Sequence, residues 1–362
     1  MEKKCPIFVF NQLEHKLSGY DDKFEITKYV SQQLKIKLKL GEEPIFEGFR
    51  EVNCSYILRL RLCQEKNDLP EHIYVKFFKK KMPNVNVSYA PFENSYKYMK
   101  HMSNLTKDIP ALTAQKPLLI LPEVNAVVME WVNGTSLTDF MVYSNRFSSE
   151  KEKQRLEANF ELLGRTMGFI HNQSLSLNEN QPKFNDILSL NLNHLENLLS
   201  HSYLKNSRTA NHAMKYLKNA SFKNIATTWI HGDLSPTNVL FTQDNRIVLI
   251  DFEHSRFDSP YFDVGSFTVR ASIYLGHNPL RFSQSYNNKL ISKFLKGYFF
   301  SSNQKFSIEM LRYFQIFDLL QFILNHFWSS QDYLSHQNLF ALFSLKRLCD
   351  FHRDFSYQTY CQ

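Results

Sequence analysis

Apolar and polar positions follow two different rhythms along this chain. Over the first 130 residues the apolar positions come in short runs, at 43–49, 55–63 and 72–79, each rich in β-branched or aromatic residues. In the second run Tyr56, Leu58, Leu60 and Leu62 alternate with Ile57, Arg59, Arg61 and Cys63, the period of a half-buried strand. The polar stretch 64–70 reads as the hairpin loop leading to the third run. Residues 91–102 change to helical spacing, with Phe92, Tyr96 and Met99 on one face. The run 126–132 is short enough for a buried strand and closes on the turn signal Asn133-Gly134.

From Ser136 the rhythm becomes helical. Leu156, Phe160, Leu163, Met167 and Ile170 recur at helix spacing over 150–171, and 187–204 and most of the chain after Asp263 behave alike. Two short β runs interrupt this, 239–241 and 246–250, with 242–245 as the turn between them. The pattern predicts an α+β protein: a β-rich N-terminal part over 1–132 and a mainly helical C-terminal part over 133–362 that carries a β-hairpin.

Composition narrows the chemistry. A chain of 362 residues suits one large domain or two lobes, since a domain takes about 100–200 residues. The 10 glycines compare with roughly 25 at average usage. Neither G-x-G-x-x-G nor G-x-x-x-x-G-K-[ST] occurs, which excludes the Rossmann and P-loop ways of cradling phosphate. The 5 cysteines are scattered without C-x-x-C, against a disulfide framework or zinc site. No signal peptide and no run of 18 apolar residues is present, so the expectation is a reduced, cytoplasmic protein without a membrane span. The net charge of +8 is dispersed, apart from Lys79-Lys80-Lys81, which reads as solvated surface with an anionic partner as the alternative; no nucleic-acid partner is expected.

One segment carries chemistry. Residues 229–253 read WIHGDLSPTNVLFTQDNRIVLIDFE. Asp233 and Asn238 stand five apart with Pro236 between them, which favours a fixed loop over a helix. Asp251 follows directly on an apolar strand. A loop Asp, an Asn five residues on and an Asp at a strand end suit metal-assisted phosphoryl transfer. One carboxylate takes the proton of an acceptor hydroxyl, while the Asn oxygen and the second carboxylate hold Mg²⁺.

His231-Gly232-Asp233-Leu234-x-x-x-Asn238-Val239-Leu240-Phe241, followed by Ile250-Asp251-Phe252-Glu253, resembles the signature of the aminoglycoside phosphotransferase and choline kinase-like family. These are small-molecule kinases of the two-lobed protein-kinase-like fold. The resemblance covers roughly residues 45–270 and implies a β-rich nucleotide-binding lobe, a hinge, and a helical lobe with the catalytic loop and acceptor site. It casts Lys76, in Tyr74-Val75-Lys76-Phe77, as the strand lysine on the nucleotide phosphates and Glu93 as the glutamate pairing with it. It places adenine on backbone groups of the hinge around Glu130 and Val132, and phosphate contacts on the glycine-poor loop with Asn53 and Ser55. It also implies that Asp263 braces the catalytic loop and that His231 supports it. The cofactors implied are ATP, with GTP left open, and Mg²⁺.

Three departures separate the chain from protein kinases. Gly232 stands where an Arg is expected, Glu253 stands where a Gly is expected, and no Ala-Pro-Glu segment follows. The partner expected is therefore a small-molecule hydroxyl acceptor, with protein phosphorylation and a nucleotide-binding pseudokinase as the alternatives. From Ser266 onward five acidic residues face ten basic ones, and over 135–230 eight face eleven. That balance weakens a polycationic antibiotic acceptor and suits a neutral or anionic one such as a sugar; a choline-like cation could be held by aromatic side chains such as Phe327, Trp328 and Tyr333, though rings in helical runs more often pack a core.

Overall fold

The computed structural model describes residues 20–52, 55–63, 69–78, 92–107, 109, 112–143, 148–174, 184–202, 204–222, 226–244, 246–276, 283–302, 307–329 and 345. The chain divides into two compact units, residues 1–133 with 252–254, and residues 134–251 with 255–362. The first break falls after Asn133, one residue beyond the expected boundary. The tripeptide Phe252–His254, embedded in the helical part of the sequence, belongs to the first unit.

The first unit comprises α1 (Tyr20–Lys37), β1 (Ile45–Val52), β2 (Ser55–Arg61), β3 (His72–Phe78), α2 (Phe92–Thr106), β4 (Leu112–Ala114), β5 (Pro117–Leu121) and β6 (Ala126–Glu130). Five of the strands form an antiparallel sheet in the order β1-β2-β3-β6-β5. Alternation along β3 buries Ile73, Val75 and Phe77 and leaves His72, Tyr74, Lys76 and Phe78 on the other face. The buried set packs with Leu58, Leu60, Ala126 and Val128 and with Ile26, Val30 and Leu34, a row four residues apart along α1. Each such side chain contributes about 1.5–3 kcal/mol on burial. This core fixes the register that sets Lys76 opposite Ile57 on β2 and Val127 on β6. A slip of one residue would drive the lysine into the core.

The second unit runs β7 (Gly134–Ser136), α3 (Leu137–Tyr143), α4 (Glu150–Ser174), α5 (Phe184–Ser200), α6 (Arg208–Asn219), β8 (Thr228–Ile230), β9 (Val239–Thr242), β10 (Ile247–Leu249), β11 (Arg256–Asp258), α7 (Pro260–Gly276), α8 (Gln284–Ser301) and α9 (Ile308–Ser329). The hairpin is β9 with β10, and β7 pairs antiparallel on the other side of β9. Strands β8 and β11 form a separate antiparallel pair. The apolar face of α4 is buried at Leu156, Phe160, Leu163, Met167 and Ile170. Helices α4 and α8 approach so closely that only glycine fits: a Cβ on Gly164 would lie 2.0 Å from the Phe294 carbonyl oxygen. Packing of this kind fixes the end of α4, where His171 stands. Among the described residues no helix is long and apolar enough to cross a membrane.

Candidate active site

The catalytic-loop candidates start where β8 ends. Gly232 takes φ 80°, a left-handed conformation that glycine adopts without steric cost. The turn is held by Asp263 on the first turn of α7. Its Oδ2 accepts the N–H of His231 at 2.7 Å, and its Oδ1 accepts the N–H of Gly232 at 2.9 Å. Asp263 is fully buried, and His171 Nε2 lies 3.2 Å from Oδ2 while its Nδ1 lies 2.9 Å from the Tyr298 hydroxyl. Burial opposes the charge on Asp263, but the hydrogen bond from His171, the proximity of His171 and His231 and the His231 N–H outweigh it. Its carboxyl is held below the ordinary range.

His231 has both ring nitrogens engaged. Nε2 donates to the Ile250 carbonyl at 2.9 Å, which leaves Nδ1 to accept the Asp233 N–H at 3.4 Å. Asn238 completes the loop: its Nδ2 donates to the Asp233 carbonyl at 2.9 Å and to Asp233 Oδ2 at 3.0 Å. The Asn238 carbonyl then accepts the Ile250 N–H at 3.1 Å. Both loop residues are thus tied to Ile250, the neighbour of Asp251. Asp251 itself has φ 66°, a left-handed conformation that costs an L-residue about 1–2 kcal/mol and that Asp tolerates better than most. Structure brings Asp233, Asn238 and Asp251 into one bonded framework.

In the first unit, Lys76 makes an ion pair with Glu253, both side chains being largely buried. The pairing expected with Glu93 is therefore corrected: the carboxylate paired with the strand lysine is Glu253, delivered by the returning tripeptide 252–254. Glu93 lies exposed in the first turn of α2, where a negative charge suits the helix dipole. Ser55 opens β2 opposite Phe78 and is buried, so its hydroxyl is not presented to solvent. Asn53 and the run 79–81 lie outside the described residues, as do the side chains of Phe327, Trp328 and Tyr333.

The hinge residues divide. Glu130 commits its N–H to the Lys116 carbonyl at 3.0 Å, and its carbonyl accepts from Gln115 Nε2 at 2.9 Å. The Glu130 N–H is thus engaged by the segment between β4 and β5, while its carbonyl keeps a second lone pair. The Trp131 N–H goes to the His72 carbonyl at 3.0 Å. Val132 is the next residue, and its backbone makes no hydrogen bond among the described residues.

Two residues join the site that sequence reasoning did not single out. Arg270, on α7, places Nη1 3.5 Å from Asp233 Oδ1. Its Nε and Nη2 grip Asp318 of α9 at 2.9 Å each, and Ser266 Oγ donates to Asp318 Oδ1 at 2.5 Å. The Asp318 side chain is 3% exposed, whereas Arg270 is 22% and Asp233 31% exposed. Burial works against the charge of Arg270, but Asp318 and then Asp233 overcome it and bind its proton more firmly than usual. The signals were available: Asp263, Ser266 and Arg270 recur at helical spacing, and Asp318 is a lone acid in an apolar helical run.

The profile of the phosphotransferase enzyme family matches residues 67–281, more than half of the chain and all of the loop just described. The chain belongs to this family. It is a phosphotransferase. No curated protein matches it significantly by sequence. Among solved structures it is similar to the choline kinase of Cryptosporidium parvum Iowa II, with TM-score 0.61 and 15% identity over 89% of this chain and 95% of that one. A putative aminoglycoside phosphotransferase of Ralstonia eutropha gives TM-score 0.60 and 14% identity over 89% and 95%. The choline kinase LicA of Streptococcus pneumoniae, in complex with AMP, gives 0.57 and 17% over 89% and 99%. The fold of this phosphotransferase is the protein-kinase-like one, α+β with a sheet-containing N-terminal region and a helical C-terminal region.

Proposed function

We propose that this phosphotransferase transfers the γ-phosphate of ATP to a hydroxyl group of a small molecule of the sugar, amino-sugar, choline-like or aminoglycoside-like kind. Asp233 is the catalytic base. It accepts the proton of the acceptor hydroxyl as that oxygen bonds to the γ-phosphorus and the bond to the β,γ-bridging oxygen breaks, releasing ADP. The observation that carries this reading is the Asp233 carboxylate itself, part-exposed and oriented by Asn238 Nδ2 at 3.0 Å in a loop tied to Asp263 and Ile250.

The residues present fit Mg²⁺. Asn238 spends its Nδ2 on Asp233, which turns its amide oxygen, the atom a hard cation prefers, to the other side. Asp251 supplies a carboxylate. Among the described residues no cluster of three or more His, Cys, Asp or Glu suggests an all-protein cage. Two protein ligands with nucleotide phosphates and water are the usual Mg²⁺ arrangement at phosphoryl-transfer sites. When bound, the ion neutralises phosphate charge.

Lys76, steadied by Glu253, takes the α- and β-phosphates, and Val132 takes adenine through its backbone. The AMP held by the pneumococcal choline kinase supports an adenine nucleotide, and initial rates with ATP and GTP test the preference. In this reading the first unit binds nucleotide and the second holds the acceptor, in a reduced cytoplasmic setting. The decisive experiment is Asp233→Asn with ADP release as the readout. Turnover should disappear while ATP still binds with nearly unchanged affinity; an active variant overturns the assignment.

A further inference from the structure

The charge beside Asp233 constrains the acceptor. A hydroxyl that gives its proton to Asp233 must come within about 2.6–3.2 Å of the carboxylate. Arg270 Nη1 is 3.5 Å from that same carboxylate. A reacting hydroxyl on Oδ1 therefore lies no more than about 7 Å from a guanidinium nitrogen. Asp318 balances that guanidinium from the far side. It occupies Nε and Nη2 and is almost fully buried, whereas Nη1 is the edge turned to Asp233. An acceptor approaching the base thus meets N–H donors.

We infer that Arg270 determines acceptor class: the substrate is a polyhydroxylated or acidic compound of the sugar or sugar-acid kind. It carries an oxygen acceptor, not an ammonium group, next to the hydroxyl that is phosphorylated. This rests on the phosphotransferase reading above and narrows it. Choline and ethanolamine, named for several of the similar structures, are cations, and a cation two carbons from the reacting hydroxyl would be driven toward Arg270. The excess of basic over acidic residues after Ser266 acts in the same direction.

The test is a comparison of kcat/KM, read by ADP release with MgATP. The acceptors are glucose, N-acetylglucosamine and gluconate on one side, and glucosamine, ethanolamine and choline on the other. The wild-type enzyme should favour the best neutral or anionic acceptor by about tenfold or more. The double variant Arg270→Gln/Asp318→Asn removes both charges while keeping size and hydrogen-bonding capacity, and it should shrink that ratio by about tenfold. Arg270→Lys keeps the charge and should keep the preference. A general loss of structure lowers all rates and does not move the ratio. Preference of the wild-type enzyme for the cationic set, or a ratio unchanged in the folded double variant, overturns the inference and leaves the kinase reading intact. Absence of transfer to every acceptor overturns both.

Discussion

The Oδ2 of Asp263 accepts the His231 N–H at 2.7 Å, so a fully buried carboxylate sets the conformation of the turn that carries Asp233. Asp263→Asn weakens that bond and leaves His171 without its anionic partner. Loss of a buried charged partner costs about 3–5 kcal/mol. The folded-state value of this carboxyl lies below its unfolded value, so its stabilisation is complete above about pH 4 and is lost as pH falls through the folded value. Chemical denaturation should therefore show the largest wild-type advantage at neutral pH and a smaller one in acid. Equal differences at pH 3 and pH 7 would contradict the electrostatic origin.

Asp251 sets stability against activity. Replacement by Gly or by Ala removes the carboxylate, but only Gly relieves the left-handed backbone at φ 66°, so in thermal unfolding the Gly variant should be the more stable of the two by about 1 kcal/mol. Turnover should fall by about 10³-fold, as expected if several kcal/mol of charge stabilisation are removed. An Asp251→Gly enzyme that is fully active and no more stable than Asp251→Ala would refute both expectations.

The contact between α4 and α8 predicts a sharp contrast between two glycines. Gly164→Ala places a Cβ 2.0 Å from the Phe294 carbonyl oxygen, a backbone atom that cannot swing aside. The helices must separate, at a cost of about 1–3 kcal/mol. Gly48→Ala meets nothing within 4 Å and should change stability by less than about 0.5 kcal/mol. Differential scanning calorimetry of the two variants decides the matter.

The two glutamates offered to Lys76 can be told apart by nucleotide kinetics. Glu253→Gln removes the charge paired with the lysine and should raise the KM for ATP about tenfold, the worth of one charge-assisted hydrogen bond. Glu93→Gln alters an exposed first-turn residue and should change that KM by less than about twofold. The reverse ranking would restore the pairing read from the resemblance.

What could be read in advance follows from how locally each feature is encoded. Asp233, Asn238 and Asp251 lie within 19 consecutive residues, with the hairpin that connects them written in the same segment. The apolar rows of β2 and α4 were equally visible, because one face repeats along one element. Helix α1 escaped notice because Ile26, Val30 and Leu34 are diluted by charged and amide side chains, and only the back of the sheet reveals them as a row. Arg270 and Asp318 belong to helices far apart in sequence, so their grip on each other is a product of packing. The bonds that Glu130 makes to Lys116 and Gln115 through its backbone are likewise a product of packing that no spacing rule records.

The tripeptide 252–254 has a consequence for biosynthesis. Although the first unit is otherwise finished at Asn133, the carboxylate that pairs with its buried lysine is encoded about 120 residues later. On the ribosome, Lys76 waits without Glu253 until β8, β9 and β10 have been made. Nucleotide binding by the nascent chain should therefore mature late, with the arrival of the catalytic loop rather than with the sheet.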